Sequence, residues 1–258
     1  MADTEENQVD AAHADIGIVS ALAMELQPFR DRCERMRKYA GGDFVFRGGR
    51  YDEIRIAFVE SGSGFARARR AATALIDAHS PAWVLSAGFS GALQEKMHVG
   101  DIVMANSIVD THGHELSIDL GLSPQEERGL YVGRIVTADD VVRKVDEKRA
   151  LGDRHQALAV DMESLAVAQV CRDAKTRFLA VRVISDDLSA DLPPEVSTLV
   201  GSTGSKRLGA AVGSLWKRPG SIKEMWNLRT VAHSAAQRMA TFLDGVVTQL
   251  YNQGHKDD

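Results

Sequence analysis

Apolar runs of strand length recur along the chain, each closed by small or acidic residues and followed by a stretch of helical period. Asp15-Ile16-Gly17-Ile18-Val19-Ser20 is the first; Trp83 to Gly88, Val99 to Ala105, Leu130 to Thr137, Leu158 to Val160 and Arg177 to Ile184 are others. Such short continuous runs predict buried strands. Between them, apolar residues three and four apart predict helices. One starts at Ala21 and runs towards Lys38, where Gly41-Gly42 ends it. A second carries Phe65, Ala68, Ala72, Leu75 and Ile76 on one face, and a short charged helix spans Val141 to Ala150 behind a cap at Ala138-Asp139-Asp140. Another follows Asp161, with Met162, Leu165, Ala166, Ala168 and Cys171 inward. The clearest helical period runs from Leu228 to Leu250, beyond a Pro/Ser/Gly-rich connector from Asp191 to Gly209 and a helix expected from Ser205 to Trp216. Asp43 to Arg47 and Glu53 to Val59 predict adjacent strands joined by a turn at Gly48-Gly49. Strands alternating with helices argue an α/β fold of three layers, and the adjacent strand pair makes the central sheet mixed.

Composition narrows the class. The 258 residues suit one large domain, and 44% hydrophobic with 26% charged residues is the balance of a soluble globular chain with a full core. A net charge of -5 argues against nucleic acid or an anionic membrane as partner. No apolar run approaches the ~20 residues of a membrane-spanning helix. Residues 1–14 are polar and acidic, the reverse of a secretory signal, and are expected to be a disordered tail on a cytoplasmic protein. Cys33 and Cys171 both fall in helical patterns, which points to buried thiols in a reducing compartment.

The candidate chemistry sits where strands end, because ligands in open α/β sheets bind at the carboxyl ends of the strands. Asp161 and Glu163 stand between a strand and a helix: either a capping pair or a pair of substrate ligands. Glu25 follows the first strand, as a solvated first-turn residue or a site acid. Ser185 and Asp186 end the last strand. Arg182 interrupts that strand, and a charge inside a buried strand requires a partner, with Glu163, Asp186 or a bound anion as candidates. Glu60-Ser61-Gly62-Ser63-Gly64 opens a helix and is a weak anion site beside Arg67, Arg69 and Arg70, which otherwise make a solvated face. Thr111-His112-Gly113-His114-Glu115 invites a metal reading, yet no further His or Cys cluster stands near it, and an exposed or lid loop is the alternative. Paired carboxylates at strand ends suit general acid–base work.

Several of these motifs, in this order, resemble the purine nucleoside phosphorylase/nucleosidase superfamily. They are Ile16-Gly17-Ile18-Val19-Ser20-Ala21 with Glu25, Glu60-Ser61-Gly62-Ser63-Gly64, Ser86-Ala87-Gly88-Phe89-Ser90-Gly91, Val99-Gly100-Asp101-Ile102-Val103, Ala159-Val160-Asp161-Met162-Glu163 and Val181-Arg182-Val183-Ile184-Ser185-Asp186. Within that superfamily the chain looks most like 5′-methylthioadenosine/S-adenosylhomocysteine nucleosidases. Asp161-Met162-Glu163-Ser164 and the stretch from Asp187 through Leu192-Pro193-Pro194 are also similar to hopanoid-associated phosphorylase-like proteins. The resemblance implies a three-layer phosphorylase/hydrolase-like fold over residues 15–251, no metal or organic cofactor, and a homodimer or larger homo-oligomer. It implies that Glu25 activates the attacking water, that Met162 and Glu163 hold the ribose, and that Asp186 protonates N7 of the purine with help from Ser185. Val141 and Val142 fall where relatives contact the base, and Arg182 where they carry an arginine near the nucleophile.

Three positions depart from the pattern. Phe89, beside Gly88, stands where hydrolases usually carry a serine that contacts the nucleophile. Ser86 stands where phosphorylases use an arginine, and Glu25 replaces their Arg-containing loop after the first strand. Together these favour water over phosphate. The resemblance therefore implies an N-glycosidase acting on a purine nucleoside. The alternatives are a phosphorylase releasing adenine from a larger adenosyl compound of hopanoid type and a non-catalytic nucleoside-binding protein.

Overall fold

A computed structural model describes residues 13–196 and 221–254. The tail expected over residues 1–14 falls, up to residue 12, outside the described residues, as do the helix expected from Ser205 to Trp216 and most of the connector before it. The described strands are β1 (Ile16–Ser20), β2 (Glu34–Gly41), β3 (Phe44–Tyr51), β4 (Ile54–Glu60), β5 (Trp83–Ala92), β6 (Ile102–Asp110), β7 (Glu115–Ser117), β8 (Leu130–Thr137), β9 (Ala159–Asp161) and β10 (Arg177–Asp186). The helices are α1 (Ala23–Arg30), α2 (Phe65–His79), α3 (Val145–His155), α4 (Ser164–Asp173) and α5 (Ser221–Gly254).

The sheet is mixed, as expected, and half of it closes on itself. β5 is parallel to β1 over Trp83–Ser86, then pairs antiparallel with β9 at Gly91 and Ala92. Its other edge is parallel to β10 throughout. From β10 the path continues through β6, β8 and β9 back to β5, a ring of five strands. β4, β3 and β2 extend the sheet outward from β1. Helices cover both faces, completing the layers. α5 buries Ala235, Met239, Leu243 and Val247 with Leu26 and Phe29 of α1 against Ile16, Ile18 and Val181. α2 and α4 bury Ala68, Ala72, Leu75, Ala166 and Cys171 against Val19, Val59 and Val84.

Four local expectations are corrected. The first helix stops at Arg30, and residues 34–41 form edge strand β2 instead of continuing to Lys38. Half of that segment is charged and it lacks an inward helical stripe; as a strand it gains a ladder with β3, and Tyr39 stacks on Phe46 at 5.7 Å. Gly48-Gly49 lies inside β3, because Asp52, at φ 52°, makes the turn into β4. The strand expected over Trp83 to Gly88 runs on to Ala92, because pairing with β10 and β9 continues β5 through the small residues after Gly88. The helix expected from Val141 starts at Val145, which leaves Val141 and Val142 in the loop after β8. Residues 107–129 contain the end of β6 and the short β7 paired to it.

Candidate functional site

β1, β4, β5 and β10 are mutually parallel, so their carboxyl ends open on one side, where the expected acids gather. Two stations form along the β5–β10 pair. Arg182 lies opposite Gly88, and Asp186 lies opposite Gly91 after the register shifts at Ser185. Along β5 the two stations are three residues apart, about 10 Å.

At the first station, Glu25 is not a solvated first-turn residue; only 4% of it is exposed. Its Oε2 accepts from the Leu22 amide at 2.8 Å and its Oε1 from the Phe89 amide at 3.0 Å. Burial raises its pKa, against the pull of those amides and of Arg182. Gly88 makes room for this meeting: a Cβ there would stand 2.7 Å from Arg182 Nη1 and 2.8 Å from Glu25 Oε1.

Arg182 is buried, and its partner is neither Glu163 nor Asp186. Its Nε donates to Asp161 Oδ2 at 2.6 Å, and its Nη2 to Ser86 Oγ at 2.8 Å and Ser164 Oγ at 2.9 Å. The antiparallel approach of β9 to the end of β5 puts Asp161 in front of the guanidinium, while the bulge at Ser185 carries Asp186 away. The other Asp161 oxygen accepts from Thr137 Oγ1 at 2.8 Å and from the Glu163 amide at 3.3 Å. The Ser164 amide lies 3.3 Å from both oxygens. Asp161 therefore does engage the start of α4, but its main bond is to Arg182.

Glu163 stands at the cap position of α4. Its Oε1 accepts from the Gly64 amide at 2.8 Å, so the glycine-rich turn after β4 serves to orient a carboxylate. Burial pushes Glu163 up to about 7; Arg182 and the Gly64 amide pull down, while Asp161 and Glu25 push further up. Met162 is half-buried beside it.

At the second station, Ser185 Oγ donates to Asp186 Oδ1 at 2.9 Å. The other oxygen of Asp186 pairs with Lys148, a fully buried lysine of α3 that sequence reading missed. A signal for it existed: Val145, Lys148, Leu151, Gly152 and His155 repeat at helical spacing and are the less exposed residues of an otherwise solvated helix. Val142 packs on Leu93, Val136 and Val160 near this end, with Val141 half-buried beside it.

The His112–Glu115 segment lies apart in the β6–β7 turn, where His114 pairs with Asp110 at 2.7 Å and His112 with Asp139 at 3.1 Å. Among the described residues no group of three His, Cys, Asp or Glu is placed to hold a metal ion. What the site offers is acid–base chemistry: two buried carboxyls of raised pKa around one neutralised guanidinium, and a third carboxyl farther along the same strand pair.

A sequence profile of the phosphorylase superfamily matches residues 15–126 and 121–215. The 5′-methylthioadenosine/S-adenosylhomocysteine nucleosidase of Staphylococcus haemolyticus is 26% identical over 195 residues, covering 66% of this chain and 86% of that protein. The same-named protein of Bacillus subtilis is 27% identical over 199 residues, covering 66% and 85%. Among solved structures, the Helicobacter pylori 5′-methylthioadenosine/S-adenosylhomocysteine nucleosidase in complex with a pyrrolidinol compound has a TM-score of 0.66 at 22% identity, over 91% of this chain and 97% of that one. Helicobacter pylori futalosine hydrolase has a TM-score of 0.65 at 20% identity, over 91% and 97%. These structures share the fold of this chain.

Proposed function

The chain belongs to the phosphorylase superfamily, and from that premise we propose that it is a purine nucleoside N-glycosidase, hydrolysing nucleosides of the 5′-methylthioadenosine/S-adenosylhomocysteine type to adenine and the free sugar. The observation that carries this reading is the spacing of the two stations on one strand pair, with Glu25 and Glu163 around Arg182 at one and Asp186 at the other. Breaking the bond from sugar to base builds positive charge on the ribosyl ring and negative charge on the base. Ionised Glu163 holds the ribose hydroxyls and faces the first charge. Asp186, steadied by Ser185, delivers a proton to N7 and removes the second. Glu25 takes a proton from the attacking water, and a carboxyl whose pKa is raised is the stronger base for it. Val141 and Val142 flank the base.

Water is favoured over phosphate for a physical reason. The guanidinium that would bind phosphate, Arg182, is 1% exposed and already neutralised by Asp161. Phe89, which replaces the usual serine, orients Glu25 through its backbone amide. We place the protein in the cytoplasm as a single domain over residues 15–251, at least a homodimer, a state that light scattering on the purified protein tests.

The testing experiment follows adenine release from 5′-methylthioadenosine and S-adenosylhomocysteine, with and without phosphate, beside Asp186→Asn. The expected result is phosphate-independent release that falls by about 100-fold or more in the variant. Release only with phosphate makes the protein a phosphorylase. Tight adenosine binding without release makes it a binding protein.

A further inference from the structure

Lys148 is 0% exposed and comes from α3, whose outer face is charged. Its ammonium pairs with Asp186 Oδ2 and donates to the Asp187 carbonyl at 3.2 Å. Space for it is made at Gly91: a Cβ there would lie 3.0 Å from Asp186 Oδ2 and 3.5 Å from Lys148 Cε. Burying an ammonium costs several kcal/mol unless it is paired, and an apolar side chain would fill the same place at no such cost. The pair is also unequal in access. The Asp186 side chain is 17% exposed, whereas that of Lys148 is 0% exposed. A ligand in the cleft therefore reaches Asp186 and not Lys148, so Lys148 acts on it only through Asp186. Among the described residues the buried strand cation, Arg182, is committed to Asp161.

We propose that Lys148 is the positioning residue and proton reserve of the leaving-base acid, acting through Asp186. This rests on the glycosidase reading above. As the C1′–N9 bond breaks, its electron pair passes to the base. Asp186 delivers one proton to N7, and Lys148 supplies that proton to Asp186, becoming a neutral amine. Water gives hydroxide to C1′ and its proton to Glu25. After the products leave, Glu25 returns that proton to solvent and Lys148 takes one up, so the cycle closes with no net gain or loss.

The test uses the full-length protein with Lys148→Ala and Lys148→Arg. Its substrates are methylthioadenosine and a 4-nitrophenyl riboside, whose leaving group departs without a proton. Lys148→Ala is expected to lose about 100-fold or more in kcat on the nucleoside, with KM little changed. It should stay within about threefold of wild type on the aryl riboside, and methylammonium or ethylammonium should restore nucleoside cleavage. Lys148→Arg keeps the charge without a transferable proton; its KM should also be little changed and its kcat should not recover. A Lys148→Ala protein with wild-type nucleoside kcat overturns the proposal. So does one that gains nothing from amines, whatever it does with the aryl riboside. Failure of the wild type itself to release adenine overturns instead the glycosidase reading on which this rests.

Discussion

Replacing Glu163 by Gln tests the electrostatics of the site directly. Glu163 ionises near 7 in the folded protein, against an ordinary 4.5, chiefly because burial penalises its carboxylate. Below pH 4.5 the group is protonated folded and unfolded, and costs nothing. Between 4.5 and about 7 the folded state holds the proton more tightly, so stability falls as pH rises, and above about 7 the full penalty is in place. The difference is on the order of 3 kcal/mol. Gln keeps the oxygen that accepts from Gly64 and carries no charge at any pH. Urea unfolding of both proteins at pH 5 and pH 8 is the assay. Wild type should lose on the order of 3 kcal/mol more than Glu163→Gln between the two pH values, equivalent to about 6–12 °C in Tm. The variant should match wild type at pH 5 and exceed it at pH 8, while losing adenine release. Glu25, shifted in the same direction by its own burial, is present in both proteins. Parallel stability–pH curves would refute the burial argument.

The remaining predictions concern the same network. The kcat/KM of the wild type should rise with pH through about 7, as Glu163 takes the ionised form that binds the ribose; a pH–rate profile flat from 6 to 8 would contradict this. Arg182→Met leaves Asp161 buried without its cation and should cost about 3–5 kcal/mol in urea unfolding. A cost below about 1 kcal/mol would mean Asp161 is held by Thr137 and the α4 amides alone. Gly88→Ala drives a methyl between Glu25 and Arg182 and should destabilise by about 1–3 kcal/mol while cutting turnover by a much larger factor, read by unfolding and steady-state kinetics together.

The strands at Ile16, Trp83, Leu130 and Arg177, and the helices at Phe65, Ser164 and the C-terminal end, were legible in the sequence because burial imposes a period on each element separately. The acids at strand ends were legible for the same reason: Glu25, Glu163 and Asp186 each stand where an apolar run stops. That Arg182 needs a partner also followed from its place in a buried strand. Which partner it takes did not follow. Asp161 lies 21 residues away and Lys148 lies 38 from Asp186, and no local period links such pairs. Strand register and one bulge in β10 decide them, by bringing β9 in front of β5 and swinging Asp186 towards α3. Residues 34–41 were misread because a charged stretch without a stripe has no preferred local state, and only the edge offered by β3 made it a strand. Local chemistry thus set which residues enter the site, and long-range pairing set which charge each one faces.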